Sequence, residues 1–203
     1  GDPAIEIGKE EAGGQNVYVR HVGEALAELG WKVDMFTRKV NVEQEDIVWH
    51  SPNCRTIRLK AGNVDFVPRD HIFEHLPEFV DNFLKFQQEN QIIYSLIHTN
   101  YWLSSWVGMQ LKTVPLVAST RLGTEKQILE TAQRIVATSP QEEEHMRTLV
   151  STKGNIDVIP CGTDIERFGC VDRKAARNEL GINPDTKLVL YVGRFDRRKG
   201  IET

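Results

Sequence analysis

The stretch "GGQNVYVRHVGEALAELGWKVDMFTR" (residues 13–38) decides the fold, because two glycines lead into a helix and the helix leads into a strand. Apolar residues recur at helical spacing from Val22 to Leu29, and Gly30 supplies a C-terminal stop. The segment "KVDMFT" (residues 32–37) then predicts a strand. Alternation of helix and strand is typical of a parallel α/β sheet.

The same alternation continues along the chain. Further strands are predicted at residues 56–60, 92–97, 114–119, 134–139, 156–160 and 187–193. Helices are predicted at residues 70–88, 103–112, 124–132, 140–150 and 173–180. The fold class predicted from the residues is therefore α/β, with a parallel sheet.

Composition excludes several classes of protein. The 203 residues are 40% hydrophobic and 27% charged, which is typical of a globular chain that buries a core. A net charge of -4 gives no reason to expect nucleic acid as a partner. No apolar run approaches the roughly 20 residues that an integral membrane segment needs. Three cysteines without CxxC spacing predict neither disulfides nor a zinc site, and favour a cytoplasmic setting.

A domain boundary is predicted in "CGTDIERFGCVDR" (residues 161–173), which combines two glycines with mixed charge. We predict an N-terminal domain at residues 1–165, and the linker and start of a second domain at residues 166–203. Because the Gly13-Gly14 turn should lead out of a strand, we also expect a strand ahead of Gly1.

Ligands of parallel α/β sheets bind outside the carboxyl ends of the strands. Unusual residues follow four of the predicted strands, namely His98, Asn100, Thr138, Ser139, Cys161, Gly162, Gly193 and Arg194. We expect them at one edge of their sheets. Ser139 and Gly162 are candidates for the wall of a ligand-binding cleft.

Gly13 and Gly14 would let backbone N–H groups approach a phosphate, and the helix that starts near Gln15 would add its positive end. The alternative is a plain tight turn, which the glycine pair alone favours, since the spaced GxGxxG pattern is absent.

A second candidate is "VGRFDRRKGIE" (residues 192–202). Arg194 and Lys199 lie at the end of a predicted strand, where two cations suit a leaving diphosphate. A solvated basic turn balanced by Asp196 and Glu202 is an equally good interpretation of the composition.

The third candidate is "LIHTNYWLSSWVG" (residues 96–108). His98, at a strand end, can form a hydrogen bond with a sugar hydroxyl or stabilise a developing charge. Trp102 and Trp106, four residues apart on a predicted helix, are expected mainly to pack in the core.

Five stretches in this order resemble the retaining glycosyltransferases of family 4, particularly the branch of sucrose-phosphate synthase and sucrose synthase. They lie at residues 12–38, 97–108, 128–146, 156–168 and 188–202. The resemblance implies the GT-B architecture of two Rossmann-like domains. The acceptor-side domain would be residues 1–165, and residues 166–203 would open the nucleotide-sugar domain.

The resemblance also implies a reaction: transfer of a glycosyl group, with retention, from a nucleotide sugar to a hydroxyl of a sugar or sugar phosphate. UDP-glucose is the implied donor, and neither a metal nor another cofactor is implied. Gly13 and Gly14 would form the loop near the donor diphosphate, and Arg194 and Lys199 would bind that diphosphate. His98 and Asn100 occupy the implied catalytic positions.

The chain departs from the family pattern in three places. The branch usually shows His-x-His-Tyr-Trp, whereas "HTNYW" has Asn100 in place of the second histidine, and asparagine carries no positive charge. Only "ASTRLG" (residues 118–123) stands where the family has a longer loop with histidine and basic residues. Because the chain ends at Thr203, ahead of the family's two-glutamate motif, we expect the 203-residue piece alone to be inactive.

Two alternatives remain open. Asn100 and the short loop motivate a non-catalytic remnant that binds carbohydrate or protein. A Rossmann oxidoreductase is disfavoured, because no spaced GxGxxG is followed by an acidic residue about 20 positions on.

Overall fold

Six α-helices and five strands are found in the described part of the computed structural model, which comprises residues 2–5, 13–112, 121–166, 168–169 and 171–190. The helices are α1 (Gly14–Glu28), α2 (Leu76–Glu89), α3 (Tyr101–Leu111), α4 (Arg121–Thr131), α5 (Pro140–His145) and α6 (Arg173–Glu179). The strands are β1 (Val33–Arg38), β2 (Ile47–Ser51), β3 (Cys54–Leu59), β4 (Ile135–Ala137) and β5 (Ile156–Val158). A 3-10 helix, Arg69–His75, precedes α2, and a π-helical turn, Met146–Val150, follows α5.

Two sheets carry the parallel pairings. In the first, β1 pairs parallel with β3, β2 pairs antiparallel with β3, and the order is β1-β3-β2. In the second, β4 and β5 are parallel. A parallel pair needs a crossover connection. Helix α5 and the π-helical turn lie between β4 and β5, whereas β2 and its flanking loops lie between β1 and β3. The predicted α/β class with parallel strands is confirmed.

The core of the first sheet lies under α1. Ala27 of this helix packs with Met35 of β1 and Cys54 of β3, all three buried. Gly23 of α1 faces the same core, and a Cβ atom there would lie 2.7 Å from the sulfur of the flexible Met35 side chain.

An aromatic cluster packs against the same sheet. Ile57 and Leu59 of β3 are buried with Phe83 of α2, and Phe36 and Tyr94 pack around them. The Phe36 and Phe83 ring centroids are 4.6 Å apart, and Tyr94 meets the Phe36 ring edge-on. These contacts join β1, β3 and α2 in one core.

Two predicted strands differ from the structure. Residues 92–97 form no ladder with any strand in the described part of the chain, although the Tyr94 ring packs into the aromatic cluster. Residues 187–190 are likewise not in a strand, and the rest of that predicted element lies outside the described residues. The predicted strand at residues 114–119 lies largely outside them as well. Conversely, the antiparallel strand β2 was not predicted.

The two long predicted helices are subdivided. Residues 140–150 form α5 and then the π-helical turn. Residues 70–88 form the 3-10 helix and then α2, whose first turn contains Pro77. Proline suits that first turn, because its missing N–H would have no acceptor there. Trp102 and Trp106 do pack, since both rings contact Phe73, with ring centroids 5.6 and 5.5 Å from that of Phe73. Both are half-buried, however, and lie outside the buried core clusters.

The chain divides into two compact units, Gly1–Ile159 and Pro160–Thr203. Within the second unit, Asp172 caps α6 by accepting hydrogen bonds from the N–H groups of Lys174 and Ala175. Arg177 holds the turn that follows, donating to the carbonyls of Asn183 and Thr186 at 2.8 and 2.9 Å.

Candidate functional site

The Gly13-Gly14 pair forms the start of α1. Gly13 is the N-cap residue, and its carbonyl accepts a hydrogen bond of 2.9 Å from the N–H of Asn16. A Cβ atom built at Gly13 or Gly14 would meet nothing within 4 Å. No side chain caps the helix, and Gly14 at its first position is exposed, so the helix starts at an open surface. This geometry suits an approaching anion.

A cavity of about 180 Å³ lies beside the same helix. Pro3 and Ile5 form one wall, and Asn16, Arg20 and His21 line the other. Sequence reasoning missed this cavity, because it depends on how residues 2–5 lie against α1. The sequence signal for it is the set of polar residues Asn16, Arg20 and His21 on α1.

His98 and Asn100 lie directly ahead of α3. His98 is exposed, and Asn100 is the half-buried N-cap residue of the helix, with extended backbone angles of φ -120° and ψ 120°. The Asn100 side chain does not cap α3. Among the described residues, neither side chain is engaged in a hydrogen bond, so both are available to a ligand.

The backbone around Asn100 is fixed by Ser104. The Ser104 hydroxyl accepts a hydrogen bond of 2.9 Å from the Asn100 N–H and donates to the Asn100 carbonyl. The next residue, Tyr101, has a φ of 64°, a left-handed conformation that is rare for a bulky side chain. Such backbone strain clusters at functional sites in proteins.

Ser139 is a helix cap in this structure. Its hydroxyl accepts a hydrogen bond of 3.1 Å from the Glu142 N–H at the start of α5, and the Glu142 carboxylate accepts from the Thr138 N–H at 2.6 Å. This arrangement differs from a capping box, because the Glu142 carboxylate reaches the N–H of Thr138, one residue ahead of the N-cap. Ser139 does follow β4, as expected, but its oxygen already has a partner within the protein.

The remaining predicted site residues belong to the second unit. Gly162 is exposed, and a Cβ atom there would meet nothing within 4 Å. Arg194 and Lys199, the predicted diphosphate-binding pair, lie outside the described residues.

Arg38, the last residue of the parallel strand β1, was not predicted from the sequence to have a role. Its guanidinium donates to the carbonyls of Ala61, Asn63 and Asp65, with bonds of 2.7 Å to Ala61 and 2.8 Å to Asp65. Arg38 therefore holds the loop that follows β3. Only the fold reveals this role, because the loop is more than 20 residues away in the sequence.

Within the described ranges, no group of three or more histidine, cysteine or acidic side chains is arranged to hold a metal ion. No helix in those ranges is long and apolar enough to cross a membrane.

Comparison with protein families decides the classification. The family model described as Glycosyltransferase Family 4 matches residues 12–167. The chain belongs to glycosyltransferase family 4. The match begins next to the Gly13-Gly14 turn and includes α3 and its preceding loop.

Curated relatives carry the name D-inositol 3-phosphate glycosyltransferase. Those of Corynebacterium kroppenstedtii and Nocardiopsis dassonvillei are 30% and 31% identical to this family 4 chain. The matches cover 98% and 97% of the chain but 50% and 52% of the relatives. The chain therefore spans about half the length of the curated relatives it matches.

Solved structures of sucrose-phosphate synthase from Thermosynechococcus elongatus are also similar. One is 48% identical with a TM-score of 0.87, and the match covers 100% of this chain and 55% of that chain. Another is 45% identical with a TM-score of 0.66, and the match covers 81% of this chain and 94% of that one. The predicted GT-B type of α/β fold is confirmed.

Proposed function

We propose that the protein containing this chain transfers a glucosyl group from UDP-glucose to a hydroxyl of a phosphorylated sugar, with retention of configuration. The observation that carries the proposal is the similarity to sucrose-phosphate synthase across the whole chain, at 48% identity. The inositol phosphate relatives are only 30–31% identical, which favours a sugar phosphate as acceptor over an inositol phosphate.

The donor diphosphate is proposed to bind at the start of α1. Gly13 and Gly14 leave the first N–H groups of the helix uncovered, and the helix dipole adds partial positive charge there. Arg194 and Lys199 are proposed to neutralise the same diphosphate as it leaves. Because two side-chain cations and a helix end supply positive charge, the reaction is proposed to need no divalent metal ion.

The donor sugar is proposed to lie against the loop ahead of α3. His98 would donate a hydrogen bond to a sugar hydroxyl, and the Asn100 carboxamide can donate or accept one. Asparagine cannot supply a positive charge, so stabilisation of the departing group would come from the diphosphate side. A transition state with oxocarbenium character would then form beside a neutralised leaving group.

An acceptor that carries phosphate is consistent with both groups of matches. The names sucrose-phosphate synthase and D-inositol 3-phosphate glycosyltransferase each contain a phosphate ester on a polyhydroxy compound. A sucrose phosphate is a glucosyl group joined to a fructose phosphate, so fructose 6-phosphate is the proposed acceptor.

The test is a transfer assay on the complete protein with UDP-glucose and EDTA. UDP release is measured with fructose 6-phosphate, fructose or inositol 3-phosphate, and the anomeric configuration of the product is read by NMR. We expect fructose 6-phosphate to be the preferred acceptor, with no effect of EDTA and an α-glucosyl product. Preference for inositol 3-phosphate would overturn the acceptor assignment. No transfer to any acceptor, from UDP-glucose or another nucleotide sugar, would favour a non-catalytic binding protein.

A further inference from the structure

Thr99, between the two candidate site residues His98 and Asn100, is anchored to α3. Its hydroxyl forms a hydrogen bond of 2.9 Å with the Ser105 hydroxyl. The Thr99 methyl group points at Gly108, which lies one helical turn beyond Ser105 in α3. A Cβ atom at Gly108 would lie 2.7 Å from the Thr99 Cγ2 atom, a distance that real Cβ atoms essentially never show.

Glycine in the interior of a helix needs a reason, because it lowers helix stability relative to alanine. Gly108 is buried within the 11-residue helix α3, and the Thr99 methyl group occupies the space that a side chain would take. Threonine is stiff at χ1, so the methyl group cannot turn away while the hydroxyl keeps its bond to Ser105. A side chain at Gly108 would therefore displace the backbone of Thr99.

The adjacent backbone has little freedom to absorb that displacement. The Ser104 hydroxyl forms hydrogen bonds with both the N–H and the carbonyl of Asn100. The same hydroxyl oxygen also lies 3.1 Å from the Tyr101 carbonyl oxygen. Tyr101 is already in the left-handed conformation. Thr99 and Asn100 are thus fixed to α3 through Ser105 and Ser104, and His98 is the residue directly ahead of them.

From these contacts we infer that Gly108 is a positioning residue for the transfer reaction. It sets the distance between α3 and Thr99, and thereby places His98 and Asn100. The inference rests on the proposed function of those two residues. Gly108 itself touches no substrate and acts only through Thr99.

The experiment compares three variants of the complete protein, with UDP-glucose as the donor and fructose 6-phosphate as the acceptor. Gly108→Ala should lower kcat/KM for UDP-glucose between about 10- and 100-fold, because small misplacements of reacting groups are costly. Thr99→Ser removes the obstructing methyl group and keeps the hydroxyl for Ser105. The double variant T99S/G108A should therefore recover to within a few-fold of the T99S variant.

Gly23→Ala is the matched control. It makes the same replacement inside α1, and its Cβ atom would also lie 2.7 Å from a side chain, the flexible thioether of Met35. We expect little kinetic effect there. Thermal unfolding of every variant checks that each assay is made on folded protein. If G108A is folded at the assay temperature, its lower kcat/KM reports misplacement and not unfolding.

Two kinetic results would overturn the inference. One is a G108A variant within twofold of the wild type, and the other is a double variant as impaired as G108A. If G108A does not fold, Thr99→Val is measured in its place, because valine loses the hydrogen bond to Ser105. Thr99→Val must then lower kcat/KM, and an unchanged kcat/KM would contradict the inference.

Crystal structures of the same variants give a readout that does not need turnover. Residues 98–100 should shift in G108A and return in the double variant. If the wild type transfers no sugar but the loop shifts in this way, the proposed function fails while the positioning contact stands. If the wild type is active and the loop does not shift, the positioning inference alone fails.

Discussion

Asp34 and Arg55 face each other across the parallel strands β1 and β3, joined by two hydrogen bonds of 2.7 and 3.0 Å. Both side chains are largely buried, with 11% and 16% of their surface exposed. The Tyr94 hydroxyl donates a third hydrogen bond, of 2.5 Å, to the same carboxylate. Burial and this bond to Asp34 raise the pKa of Tyr94, so the phenol stays protonated and remains a donor.

Breaking this ion pair should destabilise the sheet. Arg55→Ala should lower the free energy of unfolding by about 2–4 kcal/mol, because it leaves a largely buried carboxylate without its cation. Urea unfolding of R55A, D34A and the double variant measures the coupling between the two residues. Arg20→Ala, at a more exposed pair with Glu24, is the control and should cost less than about 1 kcal/mol. Equal losses of unfolding free energy in R55A and R20A would show that burial does not strengthen the Asp34–Arg55 pair.

Stability should fall in mild acid because of His50. Burial lowers its pKa from 6.5, and the nearby Arg20 cation lowers it further. The ring is half-buried, and its Nε2 atom lies 2.8 Å from the Thr56 hydroxyl oxygen. Because the folded state favours the neutral ring, the unfolded state binds more protons. The stabilisation is therefore complete above pH 6.5 and is lost as the pH falls through that value toward the folded pKa.

The measurement is urea unfolding at about pH 7.5 and about pH 5.5, on either side of the ordinary histidine range. His50→Gln should show a smaller loss of stability between the two conditions than the wild type. His71→Gln, at an exposed histidine, controls for the removal of one imidazole. An equal pH dependence in H50Q and the wild type would show that another group is responsible.

Ser139 should contribute to stability as a helix cap. Ser139→Ala removes the acceptor of the Glu142 N–H and should lower the free energy of unfolding by about 1 kcal/mol. Ser139→Asp keeps an acceptor at the N-cap and should retain most of the stability. Chemical denaturation of both variants checks this, and an S139A variant as stable as the wild type would show that the hydrogen bond contributes nothing.

The sequence predicted those elements that local patterns determine. Helix α1 and strand β1 carry clear apolar periodicity and end at Gly30 and at a polar segment, so their positions were close to those observed. Strand β2 gave no such signal, because Trp49 and His50 interrupt the alternation and its partner, β3, supplies the pairing. A six-residue apolar run such as residues 92–97 fits a strand or packed irregular backbone equally well.

The candidate site was predicted less completely, for a physical reason. Gly13, His98 and Asn100 could be chosen because their residue types suggest chemistry. Gly108 carries no such signal, since its role depends on the Thr99 methyl group, which only the folded backbone brings next to it. The engagement of the Ser139 hydroxyl with Glu142 is different, because Ser-x-x-Glu at residues 139–142 is a sequence signature of a helix N-terminus.

The loop ahead of α3, with His98 and Asn100, is proposed to bind the donor sugar. The most direct measurement is kcat/KM for UDP-glucose in the complete protein, for the wild type and His98→Ala, together with the Tm of each. His98 is exposed, so the fold should tolerate its removal, and we predict a loss of transfer of about 100-fold or more with little change in Tm. If the wild type is active and His98→Ala has the same kcat/KM, the proposed role of His98 is contradicted.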